Sequence, residues 1–155
     1  MADVTSGAPQ GTGAENTALN EALAASHAAV WGYGVVGAAL GAASAPAAAA
    51  EEAHRNLRDR VTALLVDREA EPVGAEGGYA LPFPVLSEVD AAALAVVLED
   101  GVAAAWVRVL DQAAERSTRE LAVTALGDAE VRAVQWRTAA DQTPVTTAFP
   151  GLPAE

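Results

Sequence analysis

The chain has 155 residues, no Cys and a formal net charge of −12, from 21 acidic and 9 basic side chains. This length suits one domain with a short tail at each end. The strong negative charge repels phosphate backbones and anionic lipid, so we expect no nucleic-acid partner. Without Cys the chain has no disulfide and no thiolate site, and its two His are too few for most all-His metal sites.

The beginning of the chain lacks the basic and apolar regions of a secretory signal, and we therefore expect a cytoplasmic protein. Residues 28–50 carry no charge and are long enough to cross a bilayer. Ala and Gly dominate this stretch, however, and Gly41, Ser44 and Pro46 interrupt it. We expect two closely packed Ala-rich helices here and no membrane span.

Two helices are predicted in the first half of the chain. Residues 1–15 are rich in Gly, Ser and Thr and have no apolar periodicity, which is typical of a disordered leader. A helix then begins at Asn16 or Thr17, follows a 3.6-residue apolar stripe and ends at Gly41. Ser44 and Pro46 indicate the start of a second helix, which fades near Ala70.

Two further helices follow a long irregular connection. Pro residues at alternate positions exclude a helix around residues 79–84. Ser87 with Asp90 predicts the start of a third helix. Ser117 with Glu120 matches a capping box for a fourth helix, which ends near Gln142. The sequence thus predicts an all-α domain over residues 16–142.

The connection lengths predict the topology. The first and last connections are short and allow only antiparallel hairpins, whereas the middle connection can extend over about 56 Å, against about 33 Å for a 22-residue helix. Helices two and three can therefore run parallel. The prediction is a four-helix bundle with up-down-down-up order and a long crossover, as in ferritin-like proteins.

The last segment, residues 143–155, contains three Pro and cannot be helical. Phe149 and Leu152 are its large apolar residues, and they flank a Pro-Gly turn. We expect this tail to dock on the bundle with Phe149 buried, against Phe83 of the crossover.

Five ordered runs between Asn16 and Pro153 resemble an actinobacterial ferritin-like domain family of unknown function: residues 27–34 (HAAVWGYG), 53–55 (AHR), 79–84 (YALPFP), 98–102 (LEDGV) and 149–153 (FPGLP). The resemblance implies the same bundle in an uncharacterised cytoplasmic protein. Members of that family often carry Glu immediately before the His of the first run, where this chain has Ser26. This departure weakens any transfer of a metal site.

The run of residues 32–37 has the spacing of a dinucleotide-binding fingerprint, G-x-G-x-x-G. That motif requires a preceding strand, and here the preceding residues are predicted to be helical. We interpret the glycines as positions of close helix packing, so no cofactor is expected.

Glu51 and His54 have the Glu-x-x-His spacing found in ferritin-like di-metal sites. The other helices lack suitable metal ligands, because helix one has Ser26 where a Glu is needed and helix four has no His. The sequence therefore predicts that no metal is bound. If a metal site exists, its ligands are Glu51, His54 and Glu99.

Depth along the bundle predicts which residues meet. Helices one and two are joined between residues 41 and 46, so residues at equal depth have numbers that add to about 87. His54 is then level with Tyr33, its expected hydrogen-bond partner. Glu99 lies within one turn of Arg58 and Arg132, and we expect a buried ion pair with one of them. His27 is either a third partner or exposed.

Two functions are compatible with these patterns. The favoured one is a non-catalytic ferritin-like bundle that acts through protein–protein interaction or homodimerisation, with one of its three Trp as a possible anchor. The alternative is an iron or manganese di-metal oxidoreductase with an incomplete ligand set. The sequence does not identify a substrate or a partner.

Overall fold

Four long helices form the fold. In the computed structural model, which describes residues 10–153, α1 spans Gln10–Leu40, α2 Ala45–Asp67, α3 Glu88–Gln112 and α4 Arg116–Ala139. These described residues contain no strand. The predicted all-α class is confirmed.

The turn between α1 and α2 is a short 3₁₀ segment, Gly41–Ala43. Gly41 has a φ of 54°, a conformation that few other residues adopt, and this ends α1 at Leu40. Pro46 lies in the first turn of α2, where its missing N–H leaves no hydrogen bond unmade. Both helix boundaries follow from the residues that predicted them.

Ion pairs at one end of the bundle establish the helix directions. Arg68, just after α2, contacts both Glu15 near the start of α1 and Glu115 just before α4. Arg108, near the end of α3, pairs with Glu21 of α1. The ends of α2 and α3 and the starts of α1 and α4 therefore lie together. The up-down-down-up order of the predicted four-helix bundle is confirmed.

The long connection between α2 and α3 runs along α1. The side chain of Asn20 binds the backbone N–H of Val73 at 2.8 Å. His27 donates from Nε2 to the carbonyl of the same residue at 3.0 Å. Further along, the rings of Trp31 and Tyr79 lie 5.7 Å apart. The connection thus follows α1 from one end of the bundle towards the other, and His27 serves as one of its attachment points.

Packing is close on three sides of the bundle and open on the fourth. Helix α1 packs against α2 and α3, and α3 packs against α4, whereas the backbones of α2 and α4 lie further apart. At Gly32 an added Cβ would lie 2.6 Å from the Leu98 side chain, so this glycine allows α1 and α3 to approach closely. The open side between α2 and α4, called the α2–α4 gap below, is lined by residues of the two helices.

The first helix begins earlier than predicted. Residues 10–15 are helical, not part of a disordered leader, while residues 1–9 lie outside the described part of the chain. Glu15 is fully buried, and its carboxylate accepts hydrogen bonds from the backbone N–H groups of Ala114 and Glu115. These contacts stabilise an extra turn that the Gly-rich sequence does not favour by itself.

The segment Thr12–Ala43, which covers most of α1 and the 3₁₀ turn after it, is long and apolar enough to cross a membrane by length and composition, and a third of its most apolar window is buried inside the bundle. The core helix of a soluble protein and a signal sequence meet the same criterion. Within the bundle, this helix places the polar groups of Glu15 and Tyr33 against other helices.

The starts of the last two helices differ in how they are capped. Ser87 accepts a hydrogen bond from the N–H of Asp90 at 3.1 Å, as predicted for α3. The capping box predicted at Ser117 is wrong, because α4 begins at Arg116 with Glu115 as its N-cap. Glu120 pairs instead with Arg116. Glu15 binds the N–H groups of Ala114 and Glu115, the two residues that precede α4.

The C-terminal tail lies on the bundle, but Phe149 does not bury its ring. Its side chain is 74% exposed, which contradicts the predicted docking against Phe83. The contacts come from Gly151, where a Cβ would lie 2.5 Å from the Val107 side chain, and from the carbonyl of Val145, which accepts from Arg137. The close contact at Gly151 and the hydrogen bond to the backbone of Val145 hold the tail, rather than burial of an aromatic ring.

Candidate functional site

Each of the four helices contributes one polar side chain to the same point in the core. These residues are Tyr33 of α1, His54 of α2, Glu99 of α3 and Arg132 of α4, and they are called the core cluster below. The first three are at most 1% exposed. Tyr33 and His54 lie at equal depth on the antiparallel helices α1 and α2, as predicted, but the expected hydrogen bond between them is wrong, because both side chains bond to Glu99 instead. Their rings are stacked with centroids 5.6 Å apart.

One oxygen of Glu99 accepts all three hydrogen bonds of the core cluster. The hydroxyl of Tyr33 lies 2.5 Å from Oε1, Nε2 of His54 lies at 3.0 Å and Nε of Arg132 at 2.8 Å. Because an ionised carboxylate only accepts hydrogen bonds, His54 carries its proton on Nε2. The cluster therefore joins all four helices through a single atom.

The remaining polar atoms of the core cluster are less well paired. Oε2 of Glu99 and Nδ1 of His54 are buried and have no hydrogen-bond partner within the described part of the chain. The same holds for Nε1 of Trp106. Unpaired buried polar atoms cost stability, so the contribution of this cluster depends on the three bonds to Oε1.

The surroundings set the charge state of the core cluster. Burial raises the pKa of Glu99, but hydrogen bonds from His54 and Arg132 and electrostatic attraction to these groups outweigh it and hold that pKa below its ordinary value. Burial and the nearby Glu99 carboxylate raise the pKa of Tyr33. At neutral pH Glu99 is therefore ionised, and Tyr33 is a neutral donor.

The three predicted metal ligands do not come together. His54 and Glu99 are in contact, but Glu51 pairs with Arg55 on its own helix and is partly exposed. The predicted ion pair of Glu99 is confirmed with Arg132, whereas Arg58 pairs with its neighbour Asp59. The Glu-x-x-His spacing therefore does not make a site here, because its Glu lies at the edge of the helix interface.

The core cluster does not fit a di-metal centre. Among the described residues, no group of three His, Cys, Asp or Glu side chains is placed to hold a metal ion. Ser26, where a ligand Glu would be needed, is buried and donates its hydroxyl to the carbonyl of Ala22. The guanidinium of Arg132 binds the only carboxylate of the cluster and would repel a cation at that position.

A second buried carboxylate was missed from the sequence. Glu15 is fully buried at the end of the bundle, bonded to Thr118 and ion-paired to Arg68. Burial raises its pKa, but these partners and two backbone N–H groups lower it below the ordinary value. The available signal is its position four residues before Leu19, which extends the apolar stripe of α1 backwards.

Two cavities lie in the α2–α4 gap, and both are bounded by Ala53 and Arg132. The smaller has a volume of about 200 Å³ and includes Arg60 and Asp128 in its lining. The larger has a volume of about 430 Å³ and is lined by Pro46, Ala49, Ala50, Ala53, Arg132, Gln135, Trp136 and Ala139. Arg132 thus connects the core cluster with the open side of the bundle.

Comparisons with known proteins agree with this fold. The family model of a domain of unknown function, DUF4439, matches residues 18–154. The crystal structure of a conserved hypothetical protein, rv2844, from Mycobacterium tuberculosis is similar, with 39% sequence identity and a TM-score of 0.81. The alignment covers 91% of this chain and 100% of that chain. No curated protein matches. Because the family model covers most of the sequence, the chain belongs to the DUF4439 family of domains of unknown function.

Proposed function

We propose that the chain is a non-catalytic, ferritin-like bundle in which the core cluster takes the place of a metal centre, and that it acts by binding another protein. The observation that carries this proposal is the bond from Nε of Arg132 to Glu99. It supplies the positive charge that a metal ion would otherwise bring to this carboxylate.

The chemistry of the core cluster also argues against catalysis. A general acid or base needs a pKa near the working pH and access to a substrate. Glu99 has a lowered pKa, is fully buried and already accepts three hydrogen bonds. These properties suit a group that holds four helices in register.

Metal analysis tests this part of the proposal. Protein expressed in iron-rich medium is expected to contain well under one equivalent of iron, manganese or zinc per chain. Two bound metals per chain that are lost in His54→Ala would support the di-metal oxidoreductase instead and overturn the proposal. A trace metal content that is the same in the wild type and in His54→Ala agrees with the proposal.

The exposed apolar residues support the interaction role. Trp106 and Trp136 are buried and Trp31 contacts Tyr79, so the Trp residues are not the exposed anchors considered from the sequence. Phe149 is 74% exposed instead. Leu152, three residues further along the same tail, is 55% exposed. Large exposed apolar side chains in one region are typical of interaction surfaces.

A second copy of the chain is the first partner to test. Analytical ultracentrifugation of the wild type is expected to show a dimer, and Phe149→Ser is expected to shift it to monomer. Val66→Ser is the matched control, because Val66 is 57% exposed on α2, whereas the tail contacts α3 and α4. A wild type that stays monomeric at high concentration contradicts homodimerisation.

A further inference from the structure

The larger cavity of the α2–α4 gap has the size and lining of a small-molecule site. Its volume of about 430 Å³ lies within the range of roughly 300–1,000 Å³ that ligand pockets occupy. One wall consists of Pro46, Ala49, Ala50 and Ala53 of α2, and Trp136 lies on the other. The small side chains of α2 do not fill the space towards α4. Arg132 is the only charged residue in this lining, which contains no carboxylate.

Arg132 has hydrogen-bond donors that its contact with Glu99 does not use. Its Nε binds Glu99, but its two terminal NH₂ groups make no hydrogen bond to any residue between 10 and 153. Arg137 differs, because both of its NH₂ groups are bonded, to Asp100 and to the carbonyl of Val145. The side chain of Arg132 is 18% exposed, so it reaches solvent on the open side of the bundle.

A carboxylate matches these donors best. The two terminal NH₂ groups of a guanidinium bind a carboxylate through two parallel hydrogen bonds. An apolar chain attached to it would contact the Ala side chains and Trp136. A cationic head group would be repelled by Arg132, and an alcohol would make fewer and weaker bonds. The nearest carboxylates are Glu99, which occupies the Nε edge of Arg132, and Asp128, which lines the smaller cavity. Surface acids beyond about 8 Å are largely screened at physiological salt, so the net charge of −12 does not by itself exclude an anion on the two free NH₂ groups.

We propose that the α2–α4 gap binds a small apolar carboxylate, with its acid group on Arg132 and its apolar part against Trp136. This site is separate from the exposed region around Phe149 and needs no metal. Since Arg132 also holds Glu99, the ligand shares one guanidinium with the core cluster. Its occupancy is therefore linked to the contact that joins α3 and α4.

Decanoate is a suitable probe, because Trp136 should report its binding through tryptophan fluorescence. Titration is expected to give a saturable change that disappears in Trp136→Phe. Decanol and decylamine, which have the same chain length, are expected to bind about tenfold more weakly or worse, since they lack the bidentate contact. Equal affinity for decanol or decylamine would overturn the role of Arg132.

Variants of the cavity provide the second test. Ala53→Leu places a larger side chain at the position shared by both cavities and is expected to weaken decanoate binding at least about tenfold. Ala63→Leu, on an exposed part of α2, is the matched control and should bind like the wild type. Arg132→Lys keeps the charge but loses the fork, and it is also expected to weaken binding. The proposal fails if decanoate shows no saturable binding, or if Ala53→Leu and Ala63→Leu bind it equally.

Discussion

Glu99→Gln tests the energetic role of the core cluster. The substitution preserves the size and shape of the side chain but removes its negative charge. The guanidinium of Arg132 then lies beside a neutral group, with only 18% of its side chain exposed to solvent. The positive charge of Arg132 loses its counter-ion, and the hydrogen-bond donors of Tyr33, His54 and Arg132 lose an ionised acceptor.

Removing one partner of a buried ion pair costs about 3–5 kcal/mol. Because Arg132 keeps partial access to water, we expect the lower end, about 3 kcal/mol of unfolding free energy. For a chain of this size each kcal/mol changes the melting temperature by about 2–4 °C, so the expected decrease is about 6–12 °C.

Urea and thermal denaturation followed by circular dichroism measure this effect. Glu52→Gln is the matched control, since Glu52 is exposed on α2, and it should change stability by less than about 0.5 kcal/mol. If Glu99→Gln unfolds like the wild type, the ion pair does not stabilise the bundle and the reasoning is refuted.

Three further predictions follow from other features. The folded-state pKa of Glu99 is lowered from its ordinary value of 4.5, so its contribution to the unfolding free energy should be constant above about pH 5.5 and be lost as the pH falls through 4.5 and below. Urea titrations at several pH values should therefore show that the unfolding free energy of Glu99→Gln decreases less at acidic pH than that of the wild type. Gly151→Ala should release the tail and destabilise the protein by about 1–3 kcal/mol, because Gly151 has a φ of 78° and an added Cβ would lie 2.7 Å from the backbone oxygen of Ala103. Limited proteolysis should cleave that variant faster than Gly127→Ala, where nothing lies within 4 Å of the added Cβ, and equal cleavage would contradict the prediction. Ser26→Glu should lower the melting temperature by placing an unpaired charge at a fully buried position, without creating iron affinity; a variant that binds iron would refute this expectation.

The sequence predicts the core cluster through helix geometry more than through motifs. Depth along antiparallel helices correctly places Tyr33 beside His54 and Glu99 near Arg132. The Glu-x-x-His motif is misleading, because the i, i+3 spacing brings Glu51 near the same face but not into the interface. Periodicity defines a face to within about one residue, which is too coarse to separate a core carboxylate from one at its edge.

Tertiary contacts explain the elements that the sequence does not predict. The first turns of α1 contain Gly11 and Gly13, which disfavour a helix, yet Glu15 holds this end through contacts about 100 residues away. Burial of Phe149 is predicted because Phe149 and Leu152 are the large apolar residues beside a Pro-Gly turn, but folded proteins expose many apolar groups, and Phe149 is one of them. The tail docks through Gly151, whose missing side chain gives no hydrophobic signal in the sequence.

The core cluster links two halves that are distant along the chain. Helices α1 and α2 form one hairpin and α3 and α4 form another, and the bonds of Glu99 to Tyr33 and His54 span 66 and 45 residues. Local hairpin contacts require closing only short loops, so we expect the hairpins to form before they dock. Weakening these bonds, for example in Tyr33→Phe, should then accelerate unfolding and leave the folding rate nearly unchanged. The cluster would thereby set how long the native state survives, while the hairpin turns set how quickly it is reached.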